Sequence, residues 1–251
     1  LIGVFLPTLM KIMRPLILAL TADSPIGKVD KSTLSHQTLM ELFVEGLSDS
    51  CKARCFFSNG VFKSIGEWRG VTLSDTGDVQ RVNFYPLDLN GSLAFEWLPP
   101  TVVRVFLRQF IVSGTVNLDA LPHGMESFSV GENEMTGSLS LVNLPPALEF
   151  FEACLNRFTG SVDLTRLPES ITYVDISDNE LSGTIDLTRL PSKIERLDIM
   201  GNNFSGETDF RQLPESLTKL YLMQNPDLSG EIVYDDKREC TLVCTKVHYI
   251  N

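Results

Sequence analysis

Three carboxylates recur at one spacing in the middle of this chain: Glu152, Asp175 and Asp198 stand 23 residues apart. Neighbouring carboxylates can exchange protons with a substrate, provided the fold closes water out around them. Two places earlier, at the same spacing, come Phe150, Tyr173 and Arg196. Aromatic rings and arginine are enriched where proteins contact one another. Five cysteines complete the reactive inventory: Cys51/Cys55, Cys240/Cys244 and the isolated Cys154. A C-x-x-x-C pair could serve a zinc or redox centre. The three histidines, His36, His123 and His248, are not clustered with either pair, and zinc sites use tighter ligand groups. The pairs are therefore read as disulfides, Cys51 with Cys55 and Cys240 with Cys244, if the protein is secreted, and as free thiols if it is cytosolic. Cys154 is expected at an exposed strand position as a passive surface thiol.

The spacing of these residues belongs to a longer pattern. Seven turns of 23 residues begin at Val79, Val102, Met125, Leu148, Ile171, Ile194 and Leu217. Gly91, Gly114, Gly137, Gly160, Gly183 and Gly206 fall in register, as do Leu-Pro pairs such as Leu167-Pro168 and Leu190-Pro191. The fourth and sixth positions are apolar, as in Val174/Ile176 and Leu197/Ile199. Self-similarity at this period marks a repeat architecture. Alternation around Val174 and Ile176 suits a short strand, and one turn can bury its apolar side only by stacking on others. Asn133, Asn156, Asn179, Asn202 and Asn225 come nine places into their turns, where a carboxamide can pair backbone groups left open by bending. Proline after the late leucine blocks a helix, so the outer face is expected to be irregular or extended.

Ile171, Val174, Ile176, Asn179 and Leu181 fill the pattern L-x-x-L-x-L-x-x-N-x-L, and the chain resembles the leucine-rich repeat family. The segments LSGTI (181–185) and MTGSL (135–139) look like the L-x-G-x-I signature of plant-type receptors, whereas the phrase Asp-Leu-Thr-Arg-Leu-Pro is similar to protozoan repeat sets. The resemblance covers residues 79 to about 235. It implies an α/β solenoid with a curved parallel sheet on its concave face and a small helical N-terminal cap. The first two turns depart from the pattern, with Leu87 and Phe110 where asparagine is expected. The order helix, Trp68-Arg69-Gly70-Val71-Thr72 and glycine turn resembles the N-terminal cap of plant-type receptors, although Leu73 stands where that cap has a cysteine.

The expected organisation is a leader or targeting segment over 1–31, a cap over 32–78, seven repeats over 79–239, and a C-terminal cap or tail over 240–251. Ser32 to Leu47 reads as one helix capped by Ser32, with Leu39, Leu42, Phe43 and Leu47 on one face. Residues 1–22 are apolar, but Lys11 and Arg14 leave no run long enough to cross a membrane. If translation starts at Met10, those two bases precede a short apolar stretch ending at Ala22, which reads either as a cleaved signal or as an ordinary terminus. Any membrane association would run through this segment alone, and a cell-surface or extracellular location is favoured over the cytoplasm.

In the family the residues between buried strand positions face the concave surface, where most ligands bind. The third positions are then Arg81, Arg104, Ser127, Phe150, Tyr173, Arg196 and Lys219; the fifth are Asn83, Phe106, Ser129, Glu152, Asp175, Asp198 and Tyr221. A protein or peptide ligand of basic character is the expected partner. The candidate contact residues are Arg81, Arg104, Phe106, Phe150, Glu152, Tyr173, Asp175, Arg196, Asp198 and Tyr221. Residues 79–239 hold 24 acids and 12 bases, a balance of −12, which repels phosphate backbones and argues against nucleic acid. No catalytic residue, metal or cofactor is expected. Phosphate-loop, H-E-x-x-H and G-x-S-x-G motifs do not occur, and an open sheet gives carboxylates no closed cleft. The leading reading is a non-catalytic interaction module. An adhesive or coat protein, or the recognition arm of a larger receptor or enzyme, is the alternative; the sequons at Asn90 and Asn203 suit the coat reading.

Overall fold

Residues 30–85 and 87–250 are described by the structure, a computed structural model. The apolar stretch and Lys11/Arg14 of the expected leader lie outside the described residues. Among the described residues no helix is long and apolar enough to cross a membrane.

The repeat positions become strands in parallel register. Val79–Asn83, Arg104–Phe106, Ser127–Ser129, Phe150–Glu152, Tyr173–Asp175, Arg196–Asp198, Lys219–Tyr221 and Glu239–Thr241 pair successively in one sheet. Phe150 lies beside Tyr173, and Tyr173 beside Arg196, so equal repeat positions form straight files. The first-position residues, from Val79 to Leu217, and the fourth-position residues, from Val82 to Leu220, are fully buried. Each such side chain gains about 1.5–3 kcal/mol from burial, and only neighbouring turns supply the covering surface.

The outer face is more regular than expected. A second parallel ladder of eight strands runs from Asn90–Ser92 to Lys246–Ile250, through the glycine file. Val112, Met135, Phe158, Leu181, Phe204 and Leu228 point inward from it and close the core against the concave sheet. Gly183 sits at φ +89°, and a Cβ there would lie 3.3 Å from the Cβ of Ser161 in the preceding turn. Beyond this ladder the chain returns through 3₁₀ turns at Phe95–Trp97 and Leu118–Ala120, or through Asp163, Asp186 and Asp209, each of which accepts the N–H two residues on.

The asparagine file binds the turns together. The Asn179 Oδ1 accepts the Phe158 N–H of the preceding turn at 3.0 Å, and its Nδ2 donates to the carbonyls of Ala153, Ile176 and Ser177. Asn156, Asn202 and Asn225 repeat this arrangement. One place earlier the backbone is left-handed in every complete turn after the first, at Gln109, Glu132, Leu155, Asp178, Gly201 and Gln224. Only one of these is glycine, so the composition gives little sign of the bend.

Two expectations for the ends are corrected. The helix expected over 32–47 is shorter, α1 (His36–Phe43), capped by Ser35, and the stretch after it that holds Cys51 and Cys55 forms a second helix, α2 (Asp49–Cys55), capped by Ser48. Ser32 instead belongs to a 3₁₀ turn capped by Asp30. The break falls at Gly46, where a Cβ would collide with Ser92 of the first turn. Val71–Leu73 pairs antiparallel with Val79–Asn83 and covers the N-terminal edge of the concave sheet. Trp68 is buried, stacks on Phe62 and donates to the Lys63 carbonyl, which is a packing role. At the other end the chain from Cys240 continues the solenoid: Glu239–Thr241 and Lys246–Ile250 add a shortened turn to both sheets.

Candidate functional site

Strand alternation places the third and fifth positions of every turn on the concave face, and the parallel register sets them in two files about 4.8 Å from strand to strand. Along the first file Phe150 stacks on Tyr173, ring centroids 4.4 Å apart and planes nearly parallel. The Arg196 guanidinium lies 5.3 Å from the Tyr173 ring and 4.7 Å from the ring of Tyr221. Phe106 joins the other end, 6.4 Å from Phe150. Five of the ten candidate contact residues thus form one continuous, half-buried run: Phe106, Phe150, Tyr173, Arg196 and Tyr221. Arg104 stands two residues before Phe106 on the same strand and pairs with Glu126 at 3.0 Å; Arg81 lies a further strand away.

The three carboxylates are placed as expected in register but differ in exposure. Glu152, Asp175 and Asp198 are 3%, 6% and 5% exposed, so they are buried on the concave sheet rather than presented to solvent. Burial of charge demands partners, and two of the three have a cation. The Arg108 guanidinium reaches Glu152 at 2.7 Å, and Arg196 reaches Asp198 at 2.9 Å within its own strand. Ser129 donates to the other Glu152 oxygen at 2.5 Å. Asp175 accepts from the Ser177 N–H and hydroxyl, at 3.0 and 2.6 Å, and from the Tyr173 hydroxyl at 3.2 Å. Among the described residues no ion pair joins it. Its neighbours respond: burial, and then the Asp175 charge, raise the Asp198 carboxyl above the ordinary carboxylate range and push the Tyr173 phenol up. Burial and Asp175 raise Asp178 likewise.

Cys154 is a correction. It is buried, not a surface thiol, and its Sγ contacts Glu152 Oε1 at 3.8 Å. The concave alternation runs one step further than the sequence reading took it, to the seventh position of each turn, where Arg108, Gly131, Cys154 and Ser177 stand. Counting two residues beyond each fifth position would have found Arg108, Cys154 and Ser177. All five cysteines are free thiols in the structure; Cys51 and Cys55 lie one helical turn apart in α2, and Cys244 is exposed.

Two ladders joined by an asparagine file, with a short helical cap, define a leucine-rich repeat solenoid. Known structures share this fold. The receptor kinase HAESA of Arabidopsis, solved with the peptide hormone IDA and the co-receptor SERK1, matches at TM-score 0.61 and 19% identity, over 84% of this chain and 42% of that one. A chain of the Arabidopsis BIR3–SERK2 complex matches at TM-score 0.51 and 21% identity, over 67% of this chain and 94% of that one. PEPR1, solved with AtPEP1, matches at TM-score 0.57 and 17% identity, over 85% of this chain and 32% of that one. The match thus spans less than half of the two larger ectodomains. No protein-family profile matches the chain, and no curated protein matches it.

Proposed function

We propose that this chain is a non-catalytic protein-interaction module that holds a polypeptide segment along the concave run from Phe106 to Tyr221. The observation that carries the reading is the stacking of Phe150, Tyr173 and Arg196 into one fixed, half-buried strip. Side chains already held by their neighbours lose little freedom when a partner arrives, so their contact area is retained as affinity. Similarity in fold to ectodomains solved with peptide ligands supports a polypeptide partner. With the carboxylates buried and two of them paired, a basic partner is favoured by the long-range field of the acidic repeats rather than by contact with Glu152 or Asp198.

Replacing Phe150 and Tyr173 by alanine tests this. Both side chains lie outside the core that Phe151 and Val174 form, so the fold survives. Capture from the native extract with wild type and double variant, both checked by circular dichroism, should lose the specific partner. Equal recovery by both proteins would move the binding surface elsewhere.

A further inference from the structure

We propose that Glu152, Cys154 and Asp175 form a site for a thiophilic divalent cation of the zinc class on the concave sheet. The reading is independent of the polypeptide-binding proposal. One ligand atom from each residue lies within 4.8 Å of the other two, and all three side chains are buried. Zinc–sulfur and zinc–oxygen bonds are about 2.0–2.3 Å, so ligation draws the three atoms together by about 1 Å, within the reach of side-chain torsions. A thiolate with two carboxylates suits zinc or cadmium and is too soft a set for magnesium or calcium.

Two features of the surroundings point to a cation rather than to packing. The first is charge. Asp175 is buried with hydrogen bonds from Ser177 and Tyr173, and among the described residues no ion pair compensates it. Glu152 shares the single positive charge of Arg108 with Glu132, so the carboxylates here outnumber their cation. Among Glu152, the Cys154 thiolate, Asp175, Arg108 and a divalent ion, three positive charges stand against three negative ones, and a neutral water can complete the coordination as fourth ligand. Binding exchanges the S–H bond for a sulfur–metal bond and releases that proton to solvent. Without a metal, burial and the two carboxylates hold the thiol protonated.

The second feature is space. Gly131 precedes Cys154 in the seventh-position file, and Ser177 follows it. Gly131 does not have the left-handed backbone that explains the other repeat glycines. A Cβ there would lie 3.1 Å from Cys154 Sγ and 3.5 Å from Glu152 Cδ. What the missing side chain provides is room beside those two ligands.

Cobalt is the probe, because thiolate ligation gives it a near-ultraviolet charge-transfer band. The reduced full chain is titrated with Co²⁺ and then with Zn²⁺ in competition. The expected result is one equivalent bound, a charge-transfer band displaced by zinc, and tighter binding as pH rises. Cys154→Ser should abolish the band, and Asp175→Asn should weaken binding by more than the roughly 10–100-fold that a lost outer-shell partner costs. A Cys240→Ser/Cys244→Ser variant should keep the band, which separates the site from adventitious capture at the exposed C-terminal thiol. Should Cys154→Ser fail to fold, a Cys51→Ser/Cys55→Ser/Cys240→Ser/Cys244→Ser variant, which leaves Cys154 as the one thiol, decides: a band there supports the site, and its loss overturns it. No band in wild type, or a band lost with Cys240 and Cys244, overturns it.

Discussion

Asn179→Ala removes one rung of the asparagine file, and the structure shows what is left unpaired. The three carbonyls it serves each keep another donor: Ala153 retains Asn156 Nδ2, Ile176 retains Asn202 Nδ2, and Ser177 retains the Leu155 N–H. The Phe158 N–H loses its acceptor inside a wall where Phe158 is itself fully buried. An orphaned buried donor costs about 1–3 kcal/mol, and the shared loss of the weaker bonds adds roughly 1 kcal/mol, giving about 2–4 kcal/mol in all. For a chain of this size that lowers the melting midpoint by roughly 4–16 °C. Because turns couple to nearest neighbours, hydrogen exchange should accelerate in the turns from Leu148 and Ile194 as well as in the mutated one. Urea denaturation followed by circular dichroism measures the total. A loss below about 0.5 kcal/mol, the scale of an ordinary surface substitution, would refute the claim that the carboxamide joins the turns.

Gly183→Val should cost about 1–3 kcal/mol, from its left-handed φ and the 3.3 Å approach to Ser161; an unchanged denaturation midpoint would count against this. Asp178→Asn should stabilise at neutral pH, because burial and Asp175 raise the Asp178 carboxyl and asparagine tolerates the left-handed backbone there. A raised folded-state pKa means that wild-type Asp178 contributes stability below about pH 3.9, its unfolded value, and loses it as pH rises through the folded value. The advantage of the variant should accordingly shrink on acidification; a constant difference across pH would contradict the assignment. In the native reduced protein a thiol reagent should label exposed Cys244 promptly and Cys154 only slowly, given burial and a thiol pushed up by it and by Asp175 and Glu152. Titration of unfolded, unreduced material distinguishes the compartments: about one free thiol for a secreted protein with both close pairs oxidised, and five for a cytosolic one.

The solenoid was legible because its signal is redundant. Val174, Leu197 and their equivalents repeat one burial pattern seven times, and the Asn179 file needs a residue that both donates and accepts. The pairing of the outer, extended segments into a ladder was not legible, since Glu180–Gly183 has only one inward apolar residue, Leu181, and proline nearby argued only against a helix. The cap helix boundary depended on contact between Gly46 and Ser92, which are distant in sequence. At the candidate site the files could be read, since register follows from the period. Their burial could not: Glu152 is held by Arg108, which stands two turns away. Leu155 shows the same limit for backbone shape. An exposed leucine at φ +52° is held there by the bond from its N–H to Ser177 O, not by its own preference.

Selection from a phage-displayed random peptide library on the immobilised protein tests the central claim most directly. Peptides enriched on wild type should bind the folded Phe150→Ala/Tyr173→Ala variant at least about 30-fold more weakly, the roughly 2 kcal/mol expected of a true hot spot. Peptides that bind both proteins with equal affinity would show that the concave strip is packing alone.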